Sequence, residues 1–212
     1  MKKHFIHTIT VLIIALPLMT ASAQTIKTPA ASPLQTVTQS FGLGEIKIEY
    51  SRPGVKGRVV FGDLVPYNQA WRTGANGSTK LTVGDDIKLN GTPLASGTYA
   101  LYTIPSQAEW DVILSKDLTI GANVADYKPA DEVMRFKVKP VMMNDKMETF
   151  TIQFNNVTSS SCSLDLVWDK IKVSIPINTE IDAKIQKQID KDQPQRCIEI
   201  FGRRYNSGFA LG

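Results

Sequence analysis

The residue types best suited to chemistry crowd into one stretch, Tyr50 to Asn76. Four bases, Arg52, Lys56, Arg58 and Arg72, are interleaved there with Tyr50, Tyr67 and Trp71, and Gly and Pro punctuate them. Glycine and proline at that density make a structured loop rather than a sheet strand, and binding residues concentrate on loops held by a rigid scaffold. A guanidinium beside an aromatic face can hold a carboxylate, a phosphate or a sugar. Ser51, Arg52, Lys56, Arg58, Tyr67, Trp71, Arg72 and Asn76 are therefore the candidate ligand-binding set. The same residues also suit a scaffold. Arg52 or Arg72 would then tie the loop to backbone carbonyls or to Asp63, with Trp71 plugging the end of the fold.

Catalytic chemistry is restricted by histidine. Both histidines, His4 and His7, lie in the first ten positions. That segment reads as a secretory leader. Lys2 and Lys3 start it, Val11 to Met19 is a short apolar run, and Ala21-Ser22-Ala23 is a small-residue cleavage site. The run is shorter than the ~20 residues a bilayer span needs. Removal of residues 1–23 leaves no histidine, which excludes Ser-His-Asp and Cys-His catalysis and histidine-ligated metals. An enzyme would have to use Ser51 with Lys56, or the alternating carboxylates Glu109 and Asp111, and neither carries a specific signature. Asp85-Asp86 and Asp131-Glu132 fall at turns and lack the spacing of a calcium loop, so no metal and no cofactor are expected. Asn76, Asn90 and Asn156 sit in glycosylation-type triplets that turn chemistry also explains.

Charge and cysteine set the partner and the compartment. The 212-residue chain carries 24 basic and 20 acidic residues. The leader holds two of the bases and none of the acids, so the mature net charge falls to +2 (22 − 20). Without basic runs, that is a poor nucleic-acid binder. Cys162 and Cys197 would meet oxidising conditions after export, and a disulfide between them is a candidate, as are two separate thiols.

The elements that must position the loop read as strands. Ile46, Ile48 and Tyr50 alternate with Glu45, Lys47 and Glu49, and the same rule holds for Met134 to Val138 and Phe150 to Phe154. Leu164, Leu166 and Trp168 follow, then Ile171, Val173, Ile175 and Ile177. Such alternation marks antiparallel sheets with one face in a core. Tyr99 to Ile104 and Trp110 to Leu114 are apolar on both faces and suit central strands. Asn90-Gly91 is a tight-turn dipeptide. Only Ile181, Ile185 and Ile189 keep a helical period. The expected architecture is all-β, an antiparallel β-sandwich of jelly-roll-like or Ig-like topology, with a short C-terminal helix. Residues 24–33 form a flexible lead-in, 34–178 the sandwich, 179–192 the helix and 193–212 an irregular tail.

Ser51-Arg52-Pro53, Val55-Lys56-Gly57-Arg58, Phe61-Gly62-Asp63-Leu64-Val65-Pro66-Tyr67 and Trp71-Arg72-Thr73-Gly74-Ala75-Asn76 also carry a resemblance. With Ser32 to Val37, Gly97 to Pro105 and Glu109 to Leu114, they resemble the bacterial family catalogued as domain of unknown function 2911, over roughly residues 32 to 177. The resemblance implies a Bacteroidetes-type exported protein and supplies no reaction. The expected function is a non-catalytic exported module, periplasmic or extracellular, that binds a small ligand, a glycan or a cell-envelope partner. The alternatives are a histidine-independent hydrolase of carbohydrate or lipid, and a purely structural envelope module.

Overall fold

The computed structural model describes residues 28–121 and 124–191. The chain divides into two units, Met1–Ala30 and Ala31–Gly212. Of the first, residues 28–30 are described, and they are exposed and without regular structure. The expected leader, the tail from 193 and Cys197 lie outside the described residues.

The second unit is built from two antiparallel sheets. One has six strands in the order β1 (Leu34–Phe41), β2 (Gly44–Ser51), β3 (Ala75–Val83), β6 (Gly97–Ile104), β7 (Trp110–Ser115) and β8 (Glu132–Val138). The other runs β5 (Thr92–Leu94), β4 (Ile87–Leu89), β10 (Ser161–Asn178) and β9 (Val141–Asn155). This is a sandwich and not a closed barrel, and among the described residues one α-helix, α1 (181–191), follows it. Among the described residues no helix is long and apolar enough to cross a membrane.

The alternation places its apolar residues as expected. Ile46, Ile48 and Tyr50 of β2, Leu81 and Val83 of β3, and Val112 and Leu114 of β7 are buried facing the second sheet. Asn90 and Gly91, both at positive φ, close the β4–β5 hairpin, where Leu89 pairs with Thr92. The interior strands β6 and β7 are buried on both faces because the segment after β7 folds over the outer one. Ile120 covers Ala100, Tyr102 and Ile113 there, with Leu118, Val124 and Tyr127 around it.

β10 reverses on itself. The Ser174 hydroxyl donates to the Asp165 carboxylate, and the Thr179 N–H donates to the Ser160 carbonyl at 2.9 Å. Nine extended residues would hold positions 165 and 174 roughly 30 Å apart, so the chain turns between them. Asp169, at φ 52°, and Lys170 form that two-residue turn. The skipped beat between Trp168 and Ile171 is its trace in the sequence. Trp168 lies opposite Ile171 across the turn, and both arms keep their apolar side chains on the core face.

Candidate functional site

The loop from Tyr50 to Asn76 is held by the groups that made it a candidate. Arg52 Nε donates to the Phe150 carbonyl at 3.1 Å and Nη2 to Thr151 Oγ1 at 2.9 Å. Arg58 turns back on its own loop, to the Val55 carbonyl at 3.1 Å and the Gly54 carbonyl at 2.7 Å. The loop backbone lies along the edge of β9, with the Val55 N–H donating to Glu148 O at 2.7 Å and the Phe150 N–H to Pro53 O at 2.9 Å. Lys56, at φ 49°, is exposed, and its N–H reaches the Glu148 carboxylate at 2.7 Å. Asn76 Nδ2 donates to Ser51 Oγ at 3.1 Å and to the Ser32 carbonyl at 3.2 Å, closing the mouth of β2. Tyr67 is half-buried against Gly62.

Trp71 is a core residue. It stacks on Trp168 with centroids 5.7 Å apart and planes 20° apart, and Phe150 and Trp110 lie 5.1 and 6.4 Å away. Its indole N–H donates to the Gly74 carbonyl at 2.9 Å. The candidate residues therefore do not converge on one pocket. They line the loop's attachment to β9, the end of β2 and the core.

Arg72 is set apart from the rest. Trp71 and Thr103 exchange both backbone hydrogen bonds, at 2.7 and 2.9 Å, as an antiparallel bridge. The next pair in that ladder is Arg72 and Tyr102. Side chains alternate along the ladder, so Arg72 points away from the Trp71 core, onto the outer face of the six-stranded sheet. Thr73, one step on, returns inward and bonds Thr103 Oγ1 at 3.1 Å. The β3–β6 register, continued by one pair, brings Ser78 to the same edge of Tyr102, while Ile113 of β7 lies on its other side. Arg72, Ser78 and Tyr102 thus gather on one face from three segments.

The electrostatics of this face are unusual. Tyr102 is wholly buried, and its hydroxyl has no hydrogen-bond partner of adequate geometry. Burial raises its pKa, while a hydrogen-bonding contact with Ser78 offsets part of the rise. Burial also pulls the Arg72 guanidinium below its ordinary pKa. The Asp117 carboxylate accepts from the Thr119 hydroxyl at 2.6 Å and its N–H at 2.8 Å, which holds it below the usual carboxylate range. The cover is fastened at its far end. The Tyr127 ring packs 5.3 Å from that of Tyr102, and its hydroxyl donates to Glu132, which also takes a bidentate contact from Arg135. Burial and the Glu132 carboxylate push the Tyr127 hydroxyl up to about 12.

The remaining sequence candidates lie elsewhere. Glu109 and Asp111 do share a face, and both lie 3.8 Å from Lys137 Nζ. Asp85 accepts from Lys184 at 2.6 Å, and Glu132 is engaged by Arg135. Cys162 is buried, and burial pushes its thiol up to about 11. Two open hollows of about 500 and 170 Å³ flank the start of α1, lined chiefly by acidic and hydroxyl side chains with Lys88 and Lys184. Sequence reading missed Ser78 and Tyr102. The available clue was a tyrosine on the outward beat of an otherwise apolar central strand.

No curated protein and no solved structure gives a significant match to this chain. The model of the family described as Protein of unknown function (DUF2911) matches residues 32–177, and the chain belongs to that family.

Proposed function

We propose that this protein is a non-catalytic exported module that binds a small anionic ligand on the outer face of its six-stranded sheet, through Arg72, Ser78 and Tyr102. The observation that carries the reading is the Tyr102 hydroxyl, wholly buried, meeting only Ser78 and without adequate hydrogen-bond geometry, at the ladder position opposite Arg72. A buried donor left unpaired costs about 1–3 kcal/mol, and such groups call for a specific reason. A carboxylate or phosphate oxygen would accept from that hydroxyl while pairing with the charge of Arg72. A non-catalytic role is supported by the engagement of the possible acid–base groups. Ser51 is bonded by Asn76, and Glu109 and Asp111 share Lys137 instead of facing one another across a cleft. Export with cleavage after Ala23 belongs to the same proposal, and an intact mass beginning at Gln24 tests it.

Titration calorimetry with inorganic phosphate and with acetate tests the binding reading. The wild type takes up at least one of them, and Arg72→Ala weakens that uptake at least ~10-fold. Tyr102→Phe weakens it too, yet holds or raises the melting temperature, because the orphan hydroxyl is gone from an apolar site. A wild type that binds neither anion refutes the proposal. So does a Tyr102→Phe protein that melts several degrees lower, since its hydroxyl would then be satisfied within the fold.

A further inference from the structure

The four sheet edges of this fold are not protected alike. An exposed edge presents unpaired N–H and C=O groups to any passing strand, and folded proteins blunt such edges with charge, proline, shortness or cover. β5 is three residues long and contains Pro93. β8 carries Glu132, Arg135 and Lys137. β9 has Asp145, Lys146 and Glu148, and the loop at Pro53–Val55 pairs along its middle. β1 has none of these devices. Its eight residues, Leu34-Gln35-Thr36-Val37-Thr38-Gln39-Ser40-Phe41, contain no charge and no proline. It pairs with β2 through eight consecutive partners without a bulge, so the strand is straight and its other edge is regular. Among the described residues no other segment bonds along that outer edge, where only the strand's own Gln39 side chain donates to the Ser40 carbonyl.

We infer that β1 is a self-association edge, and that its occupant is β1 of a second copy of this chain, paired antiparallel about a two-fold axis at Val37. That register sets Thr36 opposite Thr38 of the other copy, Gln35 opposite Gln39, and Leu34 opposite Ser40. Threonine–threonine cross-strand pairs are favourable, and like charges directly opposite are not. A strand without charge meets its own copy with no repulsion at any pair, which charged β8 or β9 would not. A two-fold contact is also self-complementary and closes after two copies, so the joined sheet would have twelve strands and stop there. One strand pair buries little surface beyond its backbone ladder, so the dimer is weak and forms in a concentration-dependent way. The inference stands on the strand edge and is independent of the anion site.

Sedimentation equilibrium on the protein as its own cell processes it, from about 1 to 500 µM, tests this. The wild type shifts from monomer to dimer across that range. Thr36→Lys with Thr38→Lys, at two exposed positions, stays monomeric or weakens the dimer at least ~10-fold. Its melting temperature stays within a few degrees of the wild type. Hydrogen exchange on the wild type supplies a reading that needs no variant, with β1 amides gaining protection as concentration rises. A wild type monomeric throughout, a dimer that survives both lysines, or concentration-dependent protection confined to other strands overturns the inference.

Discussion

The two faces of the six-stranded sheet bury comparable strands on different terms. The inner face packs Trp71, Trp110, Phe61 and Phe150 around Trp168, and ring contacts of 4.9 to 6.4 Å fill the space between the sheets. Even its orphan, the Trp168 N–H, lies among aromatic faces, including Phe61 at 85° and 6.1 Å, which are weak acceptors. The outer face has a small apolar patch, Ala100, Tyr102, Ile113 and Ile120, under one covering segment. Beside it stand Arg72 and Ser78. One face is committed to aromatic packing, and the other buries a tyrosine hydroxyl without adequate hydrogen-bond geometry.

The contrast can be broken most forcefully at Trp71. Trp71→Ala should cost about 3–5 kcal/mol, seen as a fall of roughly 10 °C or more in melting temperature. A loss under about 1 kcal/mol would mean that the inner aromatic cluster does not hold the sheets together.

Leu114 and Ile113 compare the faces directly, since they are neighbours on β7, both fully buried, one inward and one outward. Leu114→Ala should cost about 3–5 kcal/mol in the denser inner core. Ile113→Ala should cost about 2–3, because the outer cover can settle into the space. Urea denaturation of both variants checks the order, and equal costs would erase the distinction.

Arg52→Ala tests whether a loop base is a strut. It strips hydrogen bonds from the Phe150 carbonyl and Thr151, and a loss of about 1–3 kcal/mol with anion binding unchanged is expected. Lost binding with intact stability would move the site from the outer face to the loop.

The smallest effect is local and depends on pH. Lys184 bonds the Asp85 carboxylate and the Asp86 carbonyl, each at 2.6 Å, pinning α1 to the β3–β4 turn. The Lys184 ammonium holds Asp85 below the usual carboxylate range. A depressed carboxylate stabilises the fold above its unfolded pKa, and that support is lost as pH falls through its folded pKa, below about 4. The protection of amides across 181–191, relative to intrinsic exchange at each pH, should therefore fall in that acid window and stay flat between pH 5 and 8, with the β-core unaffected. Loosening of α1 near neutrality would rule out the Asp85 clamp.

Much of the fold was legible because its causes are local. The period of two in Glu45–Tyr50 and in Met134–Val138 follows from the strand's own geometry. The two-sided apolar character of β6 and β7 announced a second covered face before its cover was known. The loop was harder. Arg52 and Arg58 look alike in sequence to ligand-binding arginines, and only the position of carbonyls about one hundred residues away, or four, separates strut from site.

By itself, the chain's order of residues determined an all-β sandwich, the hairpin at Asn90-Gly91, the short helix with its isoleucine period, and the segment holding most of the unusual side chains. Each of these depends on neighbours within a few positions, where φ/ψ preference and side-chain alternation act. Tertiary structure alone decided that Trp168 and Ile171 face each other across a turn, that Arg52 and Arg58 are anchored on three backbone carbonyls, and that Arg72 takes the ladder position opposite Tyr102. Those outcomes depend on sheet register. Register is set by the summed fit of many distant side chains, and a slip of one residue would send Arg72 into the core and Trp71 into water.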